Sequence, residues 1–404
     1  MTPPPPPPRM TAPSLPDELL EEIFLRLPPH EPACLVRSSL ASKLWLGLLT
    51  GPAFRGRYRE FHGAPPMLGF LHTWLEGCGP EEKYPVPHFT TTTKFAARIS
   101  HVDDWVHMNY AAWDCRHGRV LLGDDNPVPM ALVVWDPMTG CRREMKLPDV
   151  VYSNYGAAVL CAATGCDHRA CHAGPFQVVF VSLNMTEEGE CVAHAWLSLP
   201  ETGDWSKPCP GFDQWGETCP GLTLAADAFI EPMPPVLVEE ALHFMLHYDD
   251  DDSVAILKYD LSSNSSMLID APIMGSDIAG ATILMAMSDG SLGYALVDGL
   301  ILYLWSRQMD SGRVAPWSSC TIIDLGKLLP IQNPKKRLRL VGSVEASDIV
   351  SMTTDLGIYE INVKSQQWKR LWKREKFCAL VPFMSFYNPQ ERVILIDTTH
   401  SQER

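Results

Sequence analysis

The sequence predicts an α+β multidomain chain: a small all-α module followed by an all-β propeller of six blades, with seven as the alternative count. Three observations carry this. Apolar residues recur at helical spacing only between about Leu15 and Leu49. From about Pro66 onward, short β-like runs alternate with Gly, Pro, Asp and Asn turns. Within that second stretch a strand-and-turn pattern recurs at roughly 50 residues, the period of propeller blades.

The chain opens on Met1-Thr2 and a proline run, Pro3 to Pro8, so residues 1–12 are predicted to be a disordered proline-rich tail. No apolar signal segment stands there, and Ser401-Gln402-Glu403-Arg404 holds no lipidation box. Ser14 and Asp17 are spaced as in a capping box, and Pro16 suits a first helical turn, where its missing N–H would be unpaired anyway. Asp17 and Glu18 meet the positive end of the helix dipole. Leu19, Leu20, Ile23, Phe24 and Leu27 predict one apolar stripe, with Leu25 outside it. Pro28-Pro29 ends that helix. Pro32 opens a second helix. A third is predicted from about Ser39 to Leu49, with Leu40, Leu44, Trp45, Leu48 and Leu49 at helical spacing and Gly51-Pro52 as its stop. Three short helices make a poor core by themselves. So much apolar face needs a covering surface, either another protein or the rest of the chain.

The run from Leu15-Pro16 to Leu27-Pro28-Pro29, followed by Leu35 and Lys43-Leu44-Trp45, resembles an F-box. That helical module docks on the Skp-type adaptor of cullin-based ubiquitin ligases. The resemblance implies an F-box domain over residues 13–62. It implies adaptor contact through Leu15, Pro16, Leu19, Ile23, Leu27, Leu35, Leu40, Lys43 and Trp45. The family often has Val-Cys before the lysine, where this chain has Ala41-Ser42. The implied function is that of a substrate-receptor subunit, which links the adaptor, and through it the cullin, to a protein target for ubiquitination. Such a chain is not itself an enzyme. The alternatives are a non-degradative scaffold carrying an F-box and an enzymatic propeller.

The remainder, residues 66–404, is predicted to be the target-binding propeller. Ala131–Trp135, Phe176–Val181 and Val254–Tyr259 read as strands. The repeated turn follows Trp135-Asp136, Leu197-Ser198, Tyr259-Asp260, Leu304-Trp305 and Tyr359-Glu360, and aligns at positions 140, 203, 264, 312 and 366. Each marker fits a strand that turns and returns with an aromatic. Five markers and an unmarked first unit, around Met67 to Trp105, give six blades. A two-sheet sandwich is the competing fold. Trp135-Asp136 suggests WD repeats, but their Gly-His signature is missing. The repeat resembles the kelch-like or F-box-associated propellers found behind the F-box in many plant proteins, above all in the large group of the grasses.

Composition narrows the partners. A net charge of −15 argues against nucleic acid, since phosphate contacts need clustered lysine and arginine. The one basic run, Lys335-Lys336-Arg337-Leu338-Arg339, reads as a solvated loop, with a nuclear address as the alternative. No apolar run reaches the roughly 18 residues of a membrane span. Asp249 to Asp252 lack the ligand spacing of a calcium loop and read as a hairpin tip. Twelve cysteines without a signal segment should be reduced thiols, which places the chain in the cytoplasm, the nucleus or both.

No nucleotide-binding loop or nucleophile elbow is present, and no cofactor is expected. Cys161, Cys166, His168, Cys171 and His172 are the candidates for a zinc site, although the paired two-residue spacing of strong zinc motifs is lacking. A thiol-rich loop between strands is the plainer reading. Trp113 and Trp215 read as packed between blades or, alternatively, as target contacts.

Overall fold

The computed structural model describes residues 15–74, 88–93, 95, 97, 110–124, 131–148, 154–163, 166, 174–187, 189–199, 202–206, 211–212, 218–219, 221–250, 253–272, 281–310, 313–314, 316–318, 321–373 and 377–387. The chain divides into two compact units. One holds the helices up to Pro66 with Thr93–Phe95 and the segment from Phe386; the other holds Met67–Thr92 and Ala96–Ser385.

The first unit has four helices, α1 (Asp17–Leu25), α2 (Pro32–Ala41), α3 (Lys43–Thr50) and α4 (Pro52–His62). The spacing predicts three, with Gly51-Pro52 as a stop. Pro52 instead opens α4, because a proline at the first helical position loses no hydrogen bond. The third helix starts at Lys43 rather than Ser39. Ser42 is extended, and its hydroxyl accepts from Leu44 N at 3.2 Å, a side-chain cap that ends α2 and starts α3. At α1 the capping residue is Pro16, without a side-chain cap; Ser14 lies outside the described residues.

Leu20, Phe24, Leu25, Leu35, Leu49, Phe54, Tyr58 and Phe386 form the core of this unit, with Leu27, Trp45 and Leu48 at its margin. The expected α1 stripe is therefore split. Leu20, Phe24 and Leu25 turn inward while Leu19 and Ile23 stay exposed. Leu25, set outside the stripe by its spacing, is buried because α4 covers a second side of α1. Tyr58 of α4 donates to Leu27 O at 2.7 Å, and His62 Nε2 lies 2.8 Å from Leu25 O. Both bonds occupy carbonyls that the end of α1 leaves unpaired. Arg57 of α4 also spans Glu21 and Glu22 of α1.

The second unit is a propeller of six small, mainly antiparallel sheets. Blade 1 joins both ends of the propeller sequence: Phe377–Met384 is innermost, followed by Met67–Trp74 and Phe89–Thr91. Blade 2 is Tyr110–Arg116, Arg119–Asp124, Ala131–Trp135 and Arg142–Lys146. Blade 3 is Asn154–Cys161, Phe176–Met185, Cys191–Leu197 and Leu222–Leu224. Blade 4 has a split inner strand, Ala228–Ile230 and Val236–Val238, then Ala241–Tyr248, Ser253–Asp260 and Ser265–Asp270. The short strands Gly211–Phe212 and Thr218–Cys219 extend its outer edge. Blade 5 is Thr282–Ala286, Leu292–Asp298, Ile301–Arg307 and Thr321–Asp324. Blade 6 is Arg339–Val344, Ile349–Thr354, Gly357–Asn362 and Trp368–Trp372. The inner strands touch in succession around the ring, that of blade 6 meeting that of blade 1.

The count of six agrees with the sequence, but the first unit does not lie wholly in Met67–Trp105. Its inner strand comes from the far end, through pairings such as Leu71 with Val381 and Thr73 with Ala379. Ring closure is thus a hydrogen-bonded ladder. Gly342 of blade 6 stands against Leu380 O of blade 1, where any Cβ would collide with backbone.

The repeat has a local cause. At four of the five markers the aligned residue takes a positive φ: Gly140 (80°), Gly203 (80°), Asn264 (53°) and Gln366 (55°). In three of them a side chain four residues earlier holds the turn. Asp136 Oδ1 accepts from Met138 N, Asp260 Oδ1 from Ser262 N and Ser263 N, and Asn362 Oδ1 from Lys364 N and Ser365 N. These are Asx turns followed by a left-handed residue. The fifth marker, Gly312, lies outside the described residues. There a two-stranded hairpin, Met309–Asp310 with Arg313–Val314, is inserted between the third and fourth strands of blade 5.

The cores lie between blades. Leu121, Val134, Val159 and Phe180 fill the space between blades 2 and 3, and Leu183, Ala195, Phe244 and Leu257 that between blades 3 and 4. Ala131–Trp135 and Thr282–Ala286 are buried at every residue, because a blade has a neighbour on each face. Two returning tryptophans tie blades together: Trp205 Nε1 donates to Lys146 O at 2.7 Å, and Trp317 Nε1 to Asp270 O at 2.9 Å. Trp113 lies 4.4 Å from Tyr155 of the next blade, ring to ring; Trp215 falls outside the described residues.

Candidate functional site

The helical unit leaves apolar side chains in solvent that its core does not need. Leu15 is 50% exposed, Leu19 52%, Ile23 50%, Leu40 80% and Leu44 49%. Leu19 and Ile23 sit at i and i+4 of α1 and share a face, and Leu15 precedes them by the same interval. Leu40 lies in the last turn of α2, and Leu44 follows the Ser42 cap. Covering five such side chains would contribute on the order of 5 kcal/mol. The exposed Pro16 and Lys43 complete this set.

Of the nine residues assigned to adaptor contact from sequence, six stand in solvent: Leu15, Pro16, Leu19, Ile23, Leu40 and Lys43. Leu35 does not. It is 2% exposed and belongs to the core. Leu27 is half-buried at the core margin. Trp45 is half-buried as well, with its ring 5.2 Å from Phe24 in an edge-to-face contact, so it carries core packing and a partial surface together. Leu44, which spacing groups with Trp45, Leu48 and Leu49, instead stands exposed with this set.

Electrostatics at this surface are local. The hydrogen bond from Arg26, helped by Arg57, holds the Glu22 carboxyl below the usual carboxylate range.

The propeller carries a different kind of polar chemistry. Arg116, at the end of the inner strand of blade 2, is buried together with Asp114 of the same strand. Its guanidinium pairs with Asp114 and donates to Pro235 O of blade 4. Its Nε lies 3.0 Å from Glu345 Oε2, just past the inner strand of blade 6. Asp114 Oδ2 also accepts from Val159 N of blade 3 at 2.8 Å. The Arg116–Asp114 pair thus ties four blades, and the two carboxylates are consumed in holding the cation.

The zinc candidates are not assembled among the described residues. Cys161 is buried at a strand end, and Cys166 is half-buried in the loop after it. His168, Cys171 and His172 lie outside the described residues. Among the described residues no group of His, Cys, Asp and Glu could hold a metal. Asp249 and Asp250 form a turn between paired strands, as expected of a hairpin tip; Asp251 and Asp252 lie outside the described residues. Within the basic run, Lys335 to Arg337 are exposed, but Arg339 leaves the loop and starts the inner strand of blade 6. Among the described residues no helix is long and apolar enough to cross a membrane.

Residues 13–55 match the F-box domain family. No curated protein matches the chain. Among solved structures, TolB from Acinetobacter baumannii is similar at a TM-score of 0.35 and 10% identity, covering 85% of this chain and 73% of that one. A luciferin-regenerating enzyme is similar at 0.34 and 9%, covering 68% and 76%. A post-proline cleaving enzyme from Rickettsia typhi is similar at 0.34 and 8%, covering 88% and 57%. At such values these likenesses carry no inference about activity.

Proposed function

We propose that this chain, with its F-box domain followed by a six-bladed propeller, is the substrate-receptor subunit of a Skp–cullin–F-box ubiquitin ligase. Its helical unit docks on a Skp-type adaptor, and its propeller holds a protein target. Ubiquitin transfer belongs to other subunits, and the chain is not itself an enzyme. The observation that carries this is the set of solvent-exposed Leu15, Leu19, Ile23, Leu40 and Leu44 within the segment that matches the F-box. A monomer exposes clustered apolar side chains at the cost of solubility, and such clusters mark interaction surfaces. The resemblance of the repeat to kelch-like propellers of plant F-box proteins supports the same reading, with the ligase working in the cytoplasm, the nucleus or both.

Co-purification with a Skp-type adaptor tests this. The wild-type chain should retain the adaptor, and a folded Leu19→Asp/Ile23→Asp variant should lose it. Failure of the folded wild-type chain to retain any adaptor would overturn the proposal.

A further inference from the structure

An open-sided pocket of about 320 Å³ lies between blades 3 and 4, at the end of the core they share. Its floor is apolar. Leu160 of the blade 3 inner strand belongs to that core, and Leu237 and Leu261 of blade 4 pack against it. Gln177, paired across the ladder with Leu160, lines the pocket from blade 3 as well. The opposite side is built by the two-residue turn Glu239-Glu240. That turn joins the split inner strand of blade 4 to the next strand, with Val238 paired to Ala241.

The turn is held in place. Leu261 N donates to Glu240 O at 2.8 Å. Glu239 takes a φ of 53°, the left-handed conformation that glycine or asparagine adopts more easily. Both glutamates are exposed, and among the described residues neither carboxylate has a hydrogen-bond or ion-pair partner. Among the described residues that line the pocket there is no lysine or arginine, and one histidine, His117. An apolar floor thus meets two anchored and unpaired negative charges. The net charge of −15 favours a basic partner in the same sense.

The space also sets a size. A water takes up roughly 30 Å³ of liquid, so the pocket accepts roughly ten non-hydrogen atoms. That accommodates one long residue and not two. The matching occupant has an apolar stem and a cationic head, as lysine and arginine do. Arginine matches better. Its guanidinium is more weakly hydrated than an ammonium, and its five N–H donors can serve both carboxylates and the Gln177 amide oxygen together. We propose that this pocket receives an arginine side chain of a partner protein, with the stem on Leu160, Leu237 and Leu261 and the guanidinium on Glu239 and Glu240. That the partner is a ligase target rests on the function proposed above; the contact itself concerns the propeller alone.

Titration of the full-length protein with capped glycine pentapeptides whose central residue is arginine, lysine or citrulline, followed by NMR of the peptide, tests it. The arginine peptide should bind. Citrulline, which keeps the shape and loses the charge, should weaken binding by about tenfold or more, the worth of one charge-assisted hydrogen bond. Lysine should fall between the two. Glu239→Gln/Glu240→Gln, a double change at exposed positions, should weaken the arginine peptide by about tenfold or more as well. Ser262 is exposed and borders the pocket. Ser262→Trp, which fills the space and leaves both carboxylates in place, should abolish binding. Absence of arginine-peptide binding to the folded wild-type protein would overturn the proposal. So would lysine or citrulline peptides binding as tightly as the arginine peptide, or unchanged binding by the folded variants. None of these measurements involves the adaptor, so failure here leaves the co-purification test standing.

Discussion

The two units treat leucine and isoleucine in opposite ways. In the propeller nearly every strand residue of this kind is covered by the next blade, and the exposed ones, such as Ile322 and Leu268, are isolated. In the helical unit only one side is filled, by Leu20, Phe24, Leu35 and Leu49, while Leu19, Ile23, Leu40 and Leu44 are left outside. A ring of blades satisfies its own apolar surface. Four short helices with a single small core cannot, and what they leave uncovered is available to another chain. Burial therefore separates residues that hold a unit together from residues free to meet the partner proposed above.

The comparison can be broken most forcefully at Arg116. Arg116→Ala strands Asp114 in the interior without its cation and should destabilise the propeller by about 3–5 kcal/mol. Denaturant unfolding followed by tryptophan fluorescence would show this, whereas a change near zero would mean that the four-blade tie is ornamental. Leu35→Ala asks the same question of the helical unit. As a core residue it should cost about 2–5 kcal/mol of stability, and any loss of adaptor should track unfolding.

Acid should separate the units next. Burial pushes His243 down to about 4; burial, then the neighbouring His88, pushes His72 down to about 3. Both groups lie in the propeller. Below the ordinary histidine value of 6.5 the unfolded chain binds protons that these folded sites refuse. The part these two histidines contribute should thus be constant above that pH and fall as pH drops toward 4, by up to about 1.4 kcal/mol per pH unit for each. Asp114, which burial raises to about 6, and Glu231, which burial also raises, oppose that fall. A His243→Gln variant whose melting temperature falls with acid as steeply as the wild type's would contradict the assignment.

Ile23→Asp should do the reverse of Leu35→Ala. Stability should change by no more than about 0.5 kcal/mol, while adaptor affinity falls by about 2 kcal/mol or more. Equal losses of both in a melting and a pull-down assay would erase the distinction between core and contact. The smallest effect is expected at Gln366, which takes the left-handed conformation that Gly140 and Gly203 take in other blades. Gln366→Gly relieves about 1–2 kcal/mol of strain and loses about 0.5–1 kcal/mol to chain entropy, for a net gain near 0.5 kcal/mol in chemical denaturation.

What could be read from the sequence was what neighbouring residues decide among themselves. The Asp136, Asp260 and Asn362 turns are built within five residues, so their recurrence disclosed the blades. Pro16 and Pro28 bounded α1 for the same reason. Pro52 was misread because a proline after a glycine both stops one helix and starts the next, and only the packing of Phe54 and Tyr58 decides between them. The inward turn of Leu25 and the outward turn of Leu19 depend on α4 and were not visible from spacing. Arg339 looked like the end of a charged loop because its neighbours Lys335 to Arg337 are one. Neither the Arg116 tie nor the pairing of Leu71 with Val381 left a trace, since each joins residues more than 100 positions apart.

The shared blade 1 also has a consequence in time. Met67–Trp74 leaves the ribosome about 300 residues before its partner Phe377–Met384. At roughly 5–20 residues per second that interval is about 15–60 seconds. Throughout it, the strand presents an open edge of unpaired N–H and C=O groups, a template for foreign strands. The helices at the front of the chain contain all but Phe386 of their core and emerge before that wait begins. A message cut short anywhere before Phe377 therefore yields a product with complete helices and an unclosed ring. Under the proposed function such a chain would occupy an adaptor while exposing a sticky edge, so translation to the last blade is itself a checkpoint on this protein's usefulness.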